Sequence, residues 1–180
     1  MLCHHSKYFG RAFNGLFKET LEHRIHLEED DPAIFALLIE WMYTQNLHVY
    51  KDHVYDAIDV QEPLKGACDT LCELFCMSEK LLVDGIQEDI KEELDRAFDR
   101  AGNHFPIEPH TIMAMYNNTH ADSKFRKFIL ENLAANLVDC QGRHIKYYQD
   151  CIEGPDAIPG FSMDLMMKMK NERSKDFWSE

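Results

Sequence analysis

Three cysteines stand four residues apart, at Cys68, Cys72 and Cys76. Thiolates that converge on one point could ligate zinc, but zinc sites usually combine short-range Cys pairs from loops with further ligands. A spacing of four instead places the thiols on one stripe of a helix, beside apolar residues such as Leu71 and Phe75. Because a buried cysteine behaves as a small hydrophobe, we interpret the stripe as helix core and predict no metal site.

The other cysteines offer a possible nucleophile. Cys140, His144 and Cys151 could supply the nucleophile and base of a cysteine-dependent hydrolase, but such a pair needs a third orienting group and an oxyanion site. The sequence shows neither. The segment 3–5, Cys-His-His, could bind a metal adventitiously and is better interpreted as the approach to a helix. We therefore predict no catalytic residue and no cofactor, and keep the hydrolase as a distant alternative.

The chain is acidic, with 32 Asp and Glu against 19 Lys and Arg and a net charge of −13. An acidic surface repels phosphate backbones and anionic lipids, so we expect neither nucleic acid nor a membrane surface as partner. No apolar run approaches the roughly 20 residues that span a bilayer, and the first residues lack the apolar core of a signal peptide. We expect an intracellular protein, cytoplasmic or nuclear, with its cysteines reduced.

The spacing of apolar residues predicts helices near residues 7–18, 32–43, 62–78 and 82–98. Ser6 and Asp31 are suited to cap the first two, because their side chains can accept hydrogen bonds from free backbone N–H groups. Pro32 suits the first position of a helix. Between these two helices, residues 24–28 alternate in polarity and predict a short strand that buries Ile25 and Leu27.

A linker with two prolines follows at residues 104–109, and shorter helices are predicted beyond it, near 109–117, 125–137, 143–151 and 161–169. The last of them carries a stripe of methionines, namely Met163, Met166, Met167 and Met169. A methionine stripe can form an adaptable binding groove, although more often it belongs to a core. We predict two domains, residues 1–102 and a helical extension over residues 103–180.

In this order, the elements resemble the second half of a BTB/POZ domain. Residues 6–9, Ser-Lys-Tyr-Phe, are similar to the family's Ser-x-Tyr-Phe, and residues 30–35 to its acid-rich turn with a buried phenylalanine. Residues 41–44 resemble the end of the family's next helix, and residues 68–98 its closing helices. The resemblance is carried by Ser6, Tyr8, Phe9, Phe13, Phe17, Ile25, Leu27, Asp31, Pro32, Phe35, Leu38 and Tyr43. We expect the core to be held by Phe9, Phe13, Phe17, Leu27, Phe35, Leu38 and Tyr43.

The resemblance implies a mainly α fold, a BTB/POZ-like helical cluster with a residual short β-strand. It also implies a protein–protein interaction module that binds a cullin scaffold and acts as a substrate adaptor of a ubiquitin ligase. The family's cullin-facing surface uses the helix that here ends at Tyr43 and the loop after it. In this chain the loop offers a loose apolar-x-acid pattern at Val54, Asp56, Val60 and Glu62.

The tail, with residues 116–119 and 125–127, resembles fungal BTB proteins. The family normally carries a dimer-forming helix and two strands before the Ser-x-Tyr-Phe motif. We therefore expect an N-terminally truncated member in which self-association is doubtful. The alternative is a truncated BTB-like fragment with no ligase role.

Overall fold

The computed structural model of the chain describes residues 1–15, 18–47, 49, 61–102, 105–153, 155 and 157–176. Its α-helices are α1 Leu2–His5, α2 Lys7–Asn14, α3 Lys18–Glu22, α4 Pro32–Thr44, α5 Gln61–Lys80, α6 Ile86–Ala101, α7 Pro109–Asn118, α8 Lys124–Asp139, α9 Gln149–Ile152 and α10 Phe161–Asp176. A short 3₁₀ helix, Ile145–Tyr148, precedes α9. The predicted mainly helical fold class is confirmed.

The chain divides into two compact units, residues 1–97 and 98–180, so that the boundary falls inside α6. The sequence places the domain boundary after Gly102, the residue that ends α6 with a φ of 60°; the two domains remain a prediction. Among the described helices, none is both long enough and apolar enough to cross a lipid bilayer.

The first helices begin where local chemistry predicts. The hydroxyl oxygen of Ser6 accepts the backbone N–H of Phe9 at 3.1 Å, at the start of α2. The carboxylate of Asp31 accepts the N–H of Ala33 at 2.6 Å, and Pro32 opens α4. Each cap satisfies one of the backbone donors that the first turn of a helix leaves without a partner. Both predicted caps are confirmed.

The core of the first unit lies where α4 packs against α5. Helix α4 contributes Ile34, Leu38, Trp41 and Met42, and α5 contributes Leu64, Ala67, Cys68, Leu71, Cys72, Leu74, Phe75 and Met77. Burying one large apolar side chain stabilises a fold by about 1.5–3 kcal/mol. Helix α6 adds a further buried stripe, Ile86, Ile90, Leu94 and Ala97.

The strand predicted at residues 24–28 is wrong. Residues 24–27 adopt no regular secondary structure, and a turn follows them. The extended pairing within the described ranges is a single antiparallel bridge between Ser6 and Val83. Alternating polarity can choose which side chains face inward, but a strand also needs a neighbour to accept its backbone hydrogen bonds. No such neighbour lies among the described residues, and Ile25 and Leu27 are half-buried.

Two helix boundaries also differ from the prediction. Helix α2 ends at Asn14, and α6 begins at Ile86 instead of near Leu82. Leu82 adopts a left-handed backbone (φ 50°) directly after α5, and the N–H of Val83 bonds back to the carbonyl of Ser78 at 2.9 Å. Leu82 therefore belongs to the C-terminal cap of α5. Its four-residue spacing from Ile86 therefore falls across a break between two helices.

The second unit is built on α8 and α10, which pack against each other. Its core contains Phe125, Ile129, Leu130, Leu133, Ala134 and Leu137 from α8, Phe161 and Leu165 from α10, and Tyr148 and Cys151 from the segment between them. Ser123 caps α8 by accepting the N–H of Phe125 at 3.2 Å. The guanidinium of Arg126 lies 4.6 Å from the ring centroid of Tyr116 and donates to backbone carbonyls at the end of α7.

A candidate partner-binding surface on α4

One face of α4 points to solvent. Ala36, Glu40 and Tyr43 recur at the helical spacing of four and three residues and are all exposed; we call them the outer stripe of α4. The side chain of Tyr43 is 67% exposed, so its predicted place in the core is wrong. Tyr43 lies about 200° around the helix from Trp41, and Trp41 already occupies the buried face.

The buried face of α4 is anchored at Trp41, which is 3% exposed. Its indole Nε1 donates a hydrogen bond to the carboxylate of Asp89 on α6 at 2.7 Å. The backbone of Gly85 lies against the same ring, because a Cβ there would be 3.3 Å from Cη2 of Trp41. The ring of His5 stands edge-on to it with centroids 6.0 Å apart. These contacts fix the rotation of α4 and thereby the direction of the outer stripe.

The C-terminal end of α4 is closed by Gln45, which adopts the left-handed conformation (φ 55°). Its backbone N–H bonds to the carbonyl of Trp41 at 2.7 Å, and the hydroxyl of Thr44 donates to the carbonyl of Glu40 at 2.9 Å. Because backbone groups of this last turn are bonded within the helix, Tyr43 projects from a defined end and not from a frayed one.

Three predicted core phenylalanines meet beside α4. The ring centroids of Phe9 and Phe35 are 6.2 Å apart in an edge-to-face arrangement, and Phe9 stacks on Phe13 at the same distance. Phe9 is buried, whereas Phe13 and Phe35 are half-buried. Phe35 therefore contacts the expected core residue Phe9 but is itself only half-buried, and such aromatic pairs add to the stabilisation that burial alone gives.

The Ser-x-Tyr-Phe segment is tied to the end of α5. The buried hydroxyl of Ser6 donates to the carbonyl of Leu81 at 2.5 Å, and the N–H of Lys7 bonds to the carbonyl of Leu82 at 3.2 Å. An exposed ion pair joins Lys7 to Asp84 at 2.5 Å and contributes little, because water screens it. Ser6 therefore serves both as a helix cap and as the link between α2 and the turn after α5.

The remaining predicted site residues are scattered. Leu38 is completely buried, Asp31 and Pro32 are exposed at the start of α4, and Tyr8 is 36% exposed. In the predicted partner-facing loop, Glu62 is exposed and pairs with Lys65 at 3.3 Å. Phe17, Val54, Asp56 and Val60 lie outside the described residues. The sequence analysis did not identify Glu40 as a surface residue next to Tyr43. A charged residue at position 40 of an otherwise apolar helix could have indicated it.

The cysteine stripe belongs to the core of the first unit. Cys68 and Cys72 are buried and Cys76 is half-buried, which confirms the core interpretation for the first two. Burial raises the pKa of Cys68 to about 12, with a smaller contribution from Asp69. Burial also raises the pKa of Cys72 well above its ordinary value. Both thiols are therefore protonated at neutral pH, whereas nucleophiles and metal ligands are thiolates.

The candidate nucleophiles of the second unit are also buried. Cys140 and Cys151 are about 1% exposed or less, and burial raises the pKa of Cys151 to about 11. The thiol of Cys151 donates to the carbonyl of Pro109 at 3.4 Å. Within the described part of the chain, no three His, Cys, Asp or Glu side chains are grouped so that they could hold a metal ion.

Comparison with protein families adds one finding. The family model that describes BTB/POZ domain sequences matches residues 1–95, which is more than half of the chain. The chain belongs to the BTB/POZ family. BTB/POZ domains are protein-interaction modules, so the helices from α1 to α6 form a protein-binding domain. Neither the curated proteins nor the solved structures contain a significant match.

The first unit, which holds this BTB/POZ domain, carries most of the acidity of the chain. Residues 1–97 contain 20 Asp and Glu against 9 Lys and Arg, a net charge of −11 out of the total of −13. Several exposed acids lie on α6, among them Glu88 and Glu92. The surface of the BTB/POZ domain therefore combines an acidic field with an exposed aromatic side chain at the end of α4.

Proposed function

We propose that the chain binds a cullin scaffold through the outer stripe of α4 and acts as a substrate adaptor of a ubiquitin ligase. Family membership supplies the interaction module, and the resemblance points to the helix that ends at Tyr43 and the loop after it. The observation that carries the proposal is the exposure of Tyr43, at 67%, on a helix fixed from behind by Trp41.

The chemistry of the stripe suits a protein partner. Tyrosine is enriched at interface hot spots, because it offers a large contact area and a hydroxyl while losing little conformational freedom. The carboxylate of Glu40, one turn earlier, adds a charge that can steer association. We include in the proposed contact the loop pattern Val54, Asp56, Val60 and Glu62, of which Glu62 lies within the described residues. The acidic field favours a basic face on the partner and disfavours nucleic acid and anionic membranes.

The proposal includes three further expectations. The chain acts without catalysis and without a cofactor, inside the cell, in the cytoplasm or the nucleus. It belongs to the fungal type of BTB protein, as the segments 116–119 and 125–127 suggest. It associates weakly or not at all with itself through the family's usual dimer elements.

The experiment measures binding of the purified 180-residue chain to a panel of purified cullin N-terminal domains by biolayer interferometry. Tyr43→Ala should lower the affinity for the bound cullin about tenfold or more, as loss of a hot spot does. The thermal midpoint should not change, because the side chain is exposed. Leu21→Ala is the matched control, since Leu21 is 84% exposed on α3.

Two results would contradict the proposal. If Tyr43→Ala and Leu21→Ala bind alike, the outer stripe of α4 is not the contact surface. If no member of the panel binds the unmodified chain, the alternative holds, a BTB-like chain with no ligase role.

A further inference from the structure

The outward side of α10 carries exposed methionines. The side chains of Met163, Met166 and Met167 are 62%, 67% and 55% exposed. The opposite side of the helix is buried through Phe161 and Leu165. Of the two alternatives that the sequence left open for the methionine stripe, the core does not apply to Met163, Met166 and Met167, because the contact with α8 takes a different stripe of the helix.

The orientation of α10 is fixed from its buried side. Helix α10 packs on α8, the ring of Phe161 stands edge-on to Tyr116 with centroids 5.5 Å apart, and Lys168 forms an ion pair with Glu131 on α8. Rotating the helix to bury the methionines would break all of these contacts. Their exposure is consequently a property of the packing and not of a loose helix.

The exposed methionines form one continuous face. Positions 163, 166, 167 and 170 follow the spacing at which helical residues become neighbours on one side. Contiguous exposed apolar surface marks interaction sites in folded proteins. Methionine is unbranched and polarisable, so a methionine surface can adapt to the shape of an apolar partner.

The same face becomes basic toward the C-terminal end of α10. Lys170 continues the methionine face and Arg173 follows one turn later, and both are exposed. At 100° per residue, Asp164 sits to the side of Met163, and half-buried Glu172 lies on the opposite face. This side of α10 therefore joins exposed apolar side chains to two cations at one end.

We propose that the methionine face, defined by Met163, Met166, Met167, Lys170 and Arg173, docks an amphipathic helical segment of another protein. The apolar side of that segment covers the methionines, as in other helix-on-surface recognition. Its acidic residues lie over Lys170 and Arg173, where opposite charges set orientation and speed association.

The face lies outside residues 1–95 that match the BTB/POZ family, and the inference stands without the cullin contact. If the cullin contact also exists, the docked segment belongs to the protein that is presented to the ligase.

The test uses the full chain and two fluorescent synthetic helical peptides of about five turns. Both carry leucine at helical spacing along one side; one has glutamates at the end that would meet Lys170 and Arg173, and the other has lysines there. Fluorescence anisotropy should show that the glutamate peptide binds about tenfold more tightly or better. The preference should weaken with added salt, because salt screens exposed charges.

Two variants assign the binding to the face. Replacing Met163, Met166 and Met167 together by Gln should lower the affinity about tenfold or more, while side-chain length and helix propensity are retained. The double change Lys170→Glu and Arg173→Glu should reverse the preference toward the lysine peptide. This gain of binding cannot come from misfolding. Ile145→Gln, at a residue 38% exposed in the same unit, should change nothing.

Equal binding of the two peptides, or undiminished binding by the triple Gln variant, would overturn the proposal. Failure of the unmodified chain to bind either peptide would overturn it as well. Self-association in sedimentation that the triple Gln variant abolishes would assign the face to a second copy of the chain instead. Tyr43→Ala should leave peptide binding intact, which keeps this test separate from the cullin test.

Discussion

The two units of this chain have similar apolar cores but different surfaces. The first carries 20 acidic against 9 basic residues, and the second 12 against 10. The first exposes a tyrosine on an anchored helix, and the second exposes three methionines along α10. A rigid aromatic contact favours one partner, whereas a methionine surface accepts several. Family membership accounts for the first unit, and the partner of the second has to be inferred from its own surface.

The largest expected effects come from matched changes in the two cores. Leu38 on α4 and Leu133 on α8 are both completely buried. Leu38→Ala and Leu133→Ala should each lower the free energy of unfolding by about 2–5 kcal/mol. If the units unfold separately, each variant should shift a different transition in calorimetry, and hydrogen exchange should rise in the affected unit alone. A single transition that both variants shift equally would show that the units unfold together.

A smaller effect is expected at two matched helix caps. Asp31→Ala at α4 and Ser123→Ala at α8 should each lower the free energy of unfolding by about 0.5–2 kcal/mol. The loss should be larger at Ser123, which is 7% exposed, because water cannot easily reach the N–H that the change leaves without an acceptor.

Denaturant titrations of the alanine variants measure this difference. Asp31→Asn and Ser123→Thr keep an oxygen acceptor and should recover most of the lost stability. Equal losses at the two positions would show that burial of the cap does not matter here.

The smallest expected effect is a difference between the two units in how their free energy of unfolding depends on pH. The pKa of Cys68 is raised to about 12 by burial, and that of Cys72 is raised as well. A raised pKa stabilises the folded state below the ordinary thiol value of 9.0, and this contribution is lost as the pH rises toward the folded value. At pH 10 Cys68 should therefore remove about 1 kcal/mol relative to pH 8, and Cys72 should lower the free energy of unfolding in the same direction.

Urea unfolding at pH 8 and pH 10 measures this loss. The first unit should lose more, because burial raises the pKa of two of its thiols, Cys68 and Cys72, against that of Cys151, to about 11, in the second unit. The double change of Cys68 and Cys72 to Ala should flatten the pH dependence in the first unit. A pH dependence that survives the double change would mean that other groups cause it.

Local chemistry decided much of what the sequence predicts correctly. Ser6 and Asp31 cap their helices because a side-chain oxygen and a free backbone N–H are all that a cap requires. The apolar stripe of α5 and the family resemblance of residues 1–95 are likewise properties of short segments in order. These features need no knowledge of which other elements lie nearby.

The errors concern features that depend on neighbours. The segment with Ile25 and Leu27 alternates like a strand, but the described part of the chain holds no strand for it to pair with. Tyr43 has apolar character and lies on a helix, but the packing partner of that helix takes a different face. Periodicity shows that a helix has an apolar side, and only the packed structure shows which large residues are left over. Those residues, Tyr43 and the methionines of α10, are the ones that both proposals use.

The contact between Gly85 and Trp41 also constrains how this domain can change during evolution. Gly85 adopts a φ of 104°, which other residues rarely adopt, and its missing side chain leaves room for the indole. Shrinking the ring at position 41 would remove the steric conflict but not the backbone strain, and would leave Asp89 without its donor. A single substitution at any of these three positions therefore destabilises the domain. We expect descendants of this sequence to keep all three residues or to replace them together.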